Sequence, residues 1–314
     1  MFDISFFELV SFVRQVSGAA AGAAGLHGWL LFNRQHGKLS RLLEPAMATA
    51  AVVYLVAWLI GYVGFSSAEA HVGISLDPTT ADIARSYVLQ LPLVIVLLTL
   101  LATSRQGLTR APRLYHFLYF VITSLLISTY AISDHIDMRQ VSYVWHGWHS
   151  ILTLGTVIVI DYLFFVSRHN RHLLAKLHLS FNRFTVFILS GLAIDIMGTY
   201  LIFEEALRLD TRFFFMQTVV GILLINGIIF SGPLTRRVVV YLSTKRKIPK
   251  PLHAVLGLAG ATSLVSWTTI TFLDFVPNIS LSYPAMFVIY VTLIAGGFMT
   301  HIISEGWPLN TSKT

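Results

Sequence analysis

Nine apolar segments, each about 20 residues long, occupy most of this 314-residue chain. They run over residues 9–33, 43–65, 86–104, 114–134, 143–166, 184–203, 213–234, 252–276 and 285–303. A segment of that length can cross a bilayer as a helix, and a helix satisfies its own backbone polar groups within lipid. The pattern therefore predicts an all-α fold, a polytopic bundle of about nine transmembrane helices that forms a single transmembrane domain over residues 1–314.

The composition limits the chemistry that the chain can support. Charged residues make up 12% of the chain, about half the share found in soluble domains. The net charge of +7 would indicate nucleic-acid binding in a soluble protein, but here most basic residues lie in short loops between apolar spans, so we expect no nucleic-acid partner. The absence of cysteine excludes disulfides, thiolate metal sites and iron–sulfur clusters. Histidine, which occurs 12 times, is then the main candidate metal ligand.

The distribution of charge between the loops predicts the orientation of the chain. The loops after spans 1, 3, 5 and 7 are rich in arginine and lysine, as in "TRRVVVYLSTKRK". The alternate loops hold most of the acidic residues. Because basic loops stay on the cytoplasmic side, we expect the N-terminus outside, the C-terminus in the cytoplasm, and the bacterial inner membrane as the location.

Three pairs of spans are similar to one another. Spans 1, 5 and 7 each carry one polar residue shortly before a basic loop, namely His27, Asp161 and Asn226. The second spans of the first two pairs end alike, in "AWLIGYV" and "IDIMGTY". The similarity predicts repeated two-helix hairpins near 9–65, 143–203 and 213–276, with an inserted hairpin at 86–134 and an extra helix at 285–303.

The first hairpin has a first helix rich in small residues, "SGAAAGAAGLHGWLLF", then a basic turn and a second helix that ends in glycine. This pattern resembles the membrane domain of CopD-type copper-resistance proteins and their haem or redox relatives, over spans 1–2 and 5–6. The tryptophan-rich opening of that family's repeats is missing from span 1, although "WHGWHSILTLG" at 145–155 is similar to it. The resemblance implies a role in copper handling or electron transfer.

Histidines and aspartates concentrate in "SDHIDMRQVSYVWHGWH", on the side predicted to face outward. His146 and His149 are three residues apart and share a helix face, and the short loop between spans 4 and 5 brings His135 towards them. Asp195, within span 6, lies at a similar predicted depth, and a carboxylate inside a span is usually functional. The predicted metal ligands are His135, His146, His149 and Asp195, with Asp134 and Asp137 as supporting groups. The alternative is that these histidines and the neighbouring tryptophans only form an aromatic belt at headgroup depth.

A second group of polar residues lies towards the predicted cytoplasmic side. His27 and Asp161 occupy equivalent positions in two hairpins and could form a proton relay. Alternatively, two histidines on different helices could hold a b-type haem, and the candidates are His27, His116, His253 and His301. By contrast, the segment "SRHNRHLLAKLHLSFNR" has several bases and no acid beside its histidines, which is typical of a solvated turn near anionic lipid.

Three functions are compatible with the sequence. The first is a membrane protein that binds a metal ion, with copper favoured, or a b-type haem near the outer face, and that handles copper or transfers electrons across the membrane. The second is a proton-coupled transporter of small solutes. The third is a non-catalytic membrane subunit of a larger complex, with other membrane or redox subunits as partners beside the lipid bilayer. The sequence leaves open whether the protein is an enzyme.

Overall fold

The structure is a computed structural model that describes residues 6–32, 37–72, 85–129, 138–167, 184–194, 211–244, 248–275 and 281–304, together with 170, 173–174 and 176–177. Within these ranges the regular structure is entirely helical, which confirms the predicted all-α class. The chain divides into two compact units. The first unit comprises Met1–His169 with Arg183–Ala206, and the second comprises Asn170–Asn182 with Leu207–Thr314.

Eight helices are labelled in the described residues of the first unit, and residues 85–89 before the third are also helical. The eight are α1 (Phe6–Leu31), α2 (Gly37–Val72), α3 (Leu91–Ala102), α4 (Ser104–Arg110), α5 (Pro112–Ser128), α6 (Met138–Ser150), α7 (Thr156–Ser167) and α8 (Phe184–Ile194). A single π-helical turn, Ile151–Gly155, joins α6 to α7 without a break. α1 packs against α2, α5, α6, α7 and the π-helical turn, and it is therefore the central helix of this unit.

The second unit contains α9 (Thr211–Ile229), α10 (Thr235–Ser243), α11 (Lys250–Phe275) and α12 (Tyr283–Ser304). A second π-helical turn, Phe230–Leu234, joins α9 to α10 and contains Pro233. Proline has no backbone N–H and crowds the carbonyl one turn earlier, so a widened turn accommodates it. α11 packs against both α9 and α12, and α9 also contacts α12.

Five helices of the described chain are long and apolar enough to cross a membrane, and a sixth is counted if a bent pair forms one span. The five are Leu39–Ser66, Gly147–Ser167, Thr211–Tyr241, Lys250–Leu273 and Tyr283–Ile303, and each overlaps a predicted span. These helices identify a membrane protein. The predicted total of nine spans and the hairpin repeats are not confirmed, and the single domain and the orientation stay predictions.

The remaining predicted spans differ from the others for identifiable reasons. α1 covers the first span with 26 residues, but Arg14, Gln15 and His27 make it less apolar. The third span is broken, because α3 and α4 meet at an angle of 71°. α5 has 17 residues and begins at Pro112, where a proline fits because the first helical N–H has no partner in the helix. α8 is described only as far as Ile194.

Candidate functional site

The close packing of α1 depends on its small residues. A Cβ atom added to Gly25 would lie 2.7 Å from the backbone nitrogen of Phe120 and 2.8 Å from the carbonyl oxygen of His116, so α1 and α5 meet backbone to backbone. On another face of α1, a Cβ atom added to Gly155 would lie 2.2 Å from the carbonyl oxygen of Ala19. Small residues at such spacing are the usual means by which membrane helices approach closely. The polar side chains of α1 are therefore enclosed by protein.

His27 is buried in the first unit, where it joins α1 to α7. Its Nε2 atom lies 2.9 Å from Thr156 Oγ1, and the edges of Phe184 and Phe187 pack against the ring at centroid distances of 4.7 and 5.2 Å. Asp161 is half-buried and lies five residues beyond Thr156, which is about 7.5 Å further along α7. The structure thus gives His27 a threonine partner at a different level from Asp161, and the proposed relay between the two stays a prediction.

His116 is fully buried and ties three helices of the first unit together. Ser40 Oγ donates to the carbonyl oxygen of Gly28 at 2.8 Å and lies 3.3 Å from His116 Nε2. Because the serine proton is committed to Gly28, the histidine must donate through Nε2, which leaves Nδ1 unprotonated. That Nδ1 atom faces Gly28, where an added Cβ would lie only 2.2 Å away. The ring of His116 thus joins packed helices of this unit, and its predicted role as a haem ligand stays a prediction.

His253 and His301 come together in the second unit. His253 lies near the start of α11 and His301 near the end of α12, and their rings stack at a centroid distance of 5.0 Å with 22° between the planes. Gly257 provides the space for this arrangement, since an added Cβ would lie 2.1 Å from His301 Cδ2. The two rings contact each other directly, with no space between them in this arrangement. This geometry does not support the predicted haem clamp for this pair.

The predicted metal ligands on the outward side are described only in part. His149 belongs to α6 and its side chain is buried, with 5% of its surface exposed. The π-helical turn begins two residues later, and Thr153 Oγ1 donates to the carbonyl oxygen of His149 at 2.7 Å. The structure describes the backbone of His146 within α6, but not its side chain. The other predicted members lie outside the described residues: His135, Asp195, Asp134 and Asp137.

The end of α8 lies beside the turn of α6 that carries His146 and His149. Trp145 Nε1 donates a hydrogen bond to the carbonyl oxygen of Ile194, the last described residue of α8. One turn earlier, a Cβ atom added to Gly191 would lie 2.5 Å from Thr153 Cγ2. Asp195 follows Ile194 directly in the sequence. Trp145 therefore connects two helices of the protein, whereas Trp148 is 40% exposed, as expected for an interface anchor.

The most conspicuous buried charge of the described chain, Arg14, escaped the sequence reasoning. Its side chain is 1% exposed, and its guanidinium carbon lies 4.4 Å from the centre of the Tyr87 ring. The next residue, Gln15, donates to Ser150 Oγ at 3.0 Å, and Ser150 follows His149. Arg14 and His149 are thus at the same level of the first unit. The signal for this residue is its position inside an apolar span, where a charge usually indicates function.

A hydrogen-bond network around Gln90 joins α2 to the end of α5 in the same unit. Gln90 accepts a hydrogen bond from Trp58 Nε1 at 3.1 Å, and its amide nitrogen donates to the carbonyl oxygens of Leu126 at 2.9 Å and Thr129 at 2.7 Å. Three helical segments are therefore fixed by one amide group. Such a satisfied network holds the surrounding backbone rigidly, which is a requirement for a binding site with a defined geometry.

Neither the described side chains nor a comparison with known proteins assigns a ligand to this arrangement. Within the described part of the chain, no three histidine, aspartate or glutamate side chains converge in a way that could hold a metal ion. Four of the predicted outer residues lie outside that part, so support for the predicted outer site comes from the contact between Trp145 and Ile194. Comparison of the chain with protein-family models, with curated proteins and with solved structures finds no match.

Proposed function

We propose that this membrane protein binds a metal ion, with copper favoured, or a b-type haem near its outer face, and that it handles copper or transfers electrons across the membrane. The ligands proposed are His135, His146, His149 and Asp195. The observation that carries the proposal is the hydrogen bond from Trp145 to the carbonyl oxygen of Ile194. It brings the residue before Asp195 to the helical turn that bears two of the histidines.

Helix geometry supports a shared site. His146 and His149 are three residues apart in one helix, and positions at this spacing share a helix face. Asp195 is the next residue after Ile194 in the sequence, so we expect it close to this turn. A carboxylate at this place can ligate an ion directly or accept the ring N–H of a ligating histidine, which orients the imidazole.

The proposal is tested by measuring what the purified protein contains. The protein is isolated from cells grown with copper, iron and haem precursors, and its metal content and absorption spectrum are measured. We expect bound copper, or a Soret band with bound iron. His149→Ala should remove most of the bound group, and Asp195→Asn should weaken its binding by about 10- to 100-fold. The matched control is His172→Ala, in the basic loop after span 5, which should leave the content unchanged.

Protein that is free of metal and haem under these conditions would refute the proposal. Equal losses in His149→Ala and His172→Ala would also contradict it, because they would show that binding is nonspecific.

The alternative function is a proton-coupled carrier, and the observation that bears on it is the broken third span. Carriers have helices that are interrupted near the middle of the bilayer, where substrate binds. Here the break follows Ala102, and the short α4 carries the exposed Arg105 and Arg110. Those charges are typical of a segment at the membrane surface, so this break favours an interfacial turn over a substrate site. Uptake of solute into proteoliposomes that is lost in Asp161→Asn would support the carrier instead.

A further inference from the structure

An apolar groove lies between the end of α1 and the start of α5. Its volume is about 490 Å³, and its walls are formed by Trp29, Phe32, Pro112, Leu114 and Phe117, with Arg113 beside them. Pockets that hold small ligands typically measure about 300–1,000 Å³, so the groove is large enough for a segment of a lipid chain. Apart from Arg113 its lining is apolar, which favours an occupant with a hydrocarbon chain over a wholly polar solute.

The arrangement of the groove combines aromatic walls with one positive charge. The rings of Trp29 and Phe117 are tilted against each other at a centroid distance of 5.3 Å. The guanidinium carbon of Arg113 lies 5.8 Å from the centre of the Trp29 ring, close enough for a cation–π contact. Arg113 is exposed, as are Leu114 and Phe117. The charged group is thus available to a ligand that also fills the apolar walls.

The charges next to the groove lead us to expect it at the depth of lipid headgroups. It adjoins α4, whose exposed arginines Arg105 and Arg110 belong to a basic segment on the predicted cytoplasmic side. No acidic residue occurs between Asp82 and Asp134 in the sequence, so no carboxylate of this segment neutralises these arginines. The cytoplasmic leaflet is rich in anionic lipid, and each arginine close to it contributes about 1 kcal/mol of attraction.

We propose that this groove binds an anionic phospholipid, with an acyl chain along Trp29 and Phe117 and the phosphate on Arg113. The complementarity between one exposed guanidinium and an anionic headgroup selects this occupant, and the apolar walls match the chain that the headgroup carries. A zwitterionic lipid would also fill the walls, but the positive group of its headgroup would weaken the attraction between its phosphate and the arginine. The proposal is independent of the outer metal or haem site.

Tryptophan fluorescence in vesicles of defined composition tests the proposal. The full-length protein is reconstituted in phosphatidylcholine, and an increasing fraction of the lipid is replaced by brominated phosphatidylglycerol or, in parallel, by brominated phosphatidylcholine. Bromine on the acyl chain quenches a tryptophan that it contacts. The difference between the wild-type protein and Trp29→Phe isolates the signal of Trp29, and phenylalanine preserves an aromatic wall.

We expect brominated phosphatidylglycerol to quench the Trp29 signal at lower mole fractions than brominated phosphatidylcholine. Arg113→Gln should reduce this preference by about five-fold, which corresponds to the attraction of one arginine at an anionic surface. The control is Arg236→Gln, an exposed arginine of α10 on the same predicted side of the membrane, which should keep the preference. Equal quenching by the two lipids, or a preference that survives Arg113→Gln, would overturn the proposal and indicate only general contact with lipid.

Discussion

Replacement of Gly155 by alanine is the change that most directly tests the packing of α1 against the helix that carries His149. The added Cβ atom would lie 2.2 Å from the carbonyl oxygen of Ala19 and 2.7 Å from its carbonyl carbon. The first distance is about 1.2 Å shorter than the 3.4 Å at which ordinary van der Waals contact begins. Both contacted atoms belong to the backbone of α1, so no side chain can rotate to relieve the overlap. The two helices must move apart.

The separation has a cost that follows from neighbouring contacts. Thr156, the next residue after Gly155, makes the 2.9 Å contact with His27 Nε2. A displacement of about 1.2 Å would take this pair beyond hydrogen-bonding distance, which costs roughly 1 kcal/mol. Overpacking of a tight interface costs about 1–3 kcal/mol in addition. We therefore expect Gly155→Ala to reduce the free energy of unfolding by about 2–4 kcal/mol.

The assay is thermal unfolding in a mild detergent, followed by intrinsic fluorescence and compared with Gly260→Ala. A Cβ atom added at Gly260, in α11, meets no atom within 4 Å, so this control should be unchanged or slightly stabilised by the better helix propensity of alanine. We expect the Tm of Gly155→Ala to fall by at least about 4 °C. Equal Tm values for the two variants would refute the packing of α1 against the π-helical turn.

Two further substitutions test the polar interior of the first unit by the same assay. Gln90→Leu removes the amide group that bonds to Trp58 and to the end of α5, and we expect the free energy of unfolding to fall by about 2 kcal/mol. The control Gln106→Leu changes an exposed side chain and should leave the Tm unchanged. Similar Tm values for the two variants would contradict the network. Tyr87→Leu removes the aromatic face over which the Arg14 guanidinium lies, and we expect a loss of about 2 kcal/mol; an unchanged Tm would show that this cation–π contact contributes nothing.

Much of the helical framework could be predicted from the sequence because it depends on local apolar length. The span predicted at 252–276 corresponds to Lys250–Leu273, and the span at 285–303 corresponds to Tyr283–Ile303. Continuity through a π-helical turn could not be predicted in this way. The span predicted at 213–234 continues to Tyr241, so Arg236 and Arg237 lie within a helix and not in a loop. Apolar length does not show whether a helix widens at a proline or ends there.

The polar contacts were less predictable, because they depend on which helices pack together. The spacing of His146 and His149 was sufficient to place them on one face, but it could not identify Trp145 as the group that contacts the end of α8. Similarly, the shared position of His27 and Asp161 in two hairpins suggested a pair, whereas the register of α1 against α7 places Thr156 opposite His27. Arg14 was detectable from its apolar surroundings alone, but its aromatic partner Tyr87 belongs to a distant segment of the chain.

The central proposal, a metal or haem site formed on the turn of α6 beside the end of α8, is tested most directly by the ratio of bound group to protein. The ratio of copper, or of haem, to protein is measured in the purified wild-type chain and in His149→Ala. We expect a stoichiometric ratio in the wild-type protein and the loss of most of it in the variant, with both proteins equally folded by circular dichroism. A wild-type protein without copper and haem, or a variant that retains the full ratio, would contradict the proposal.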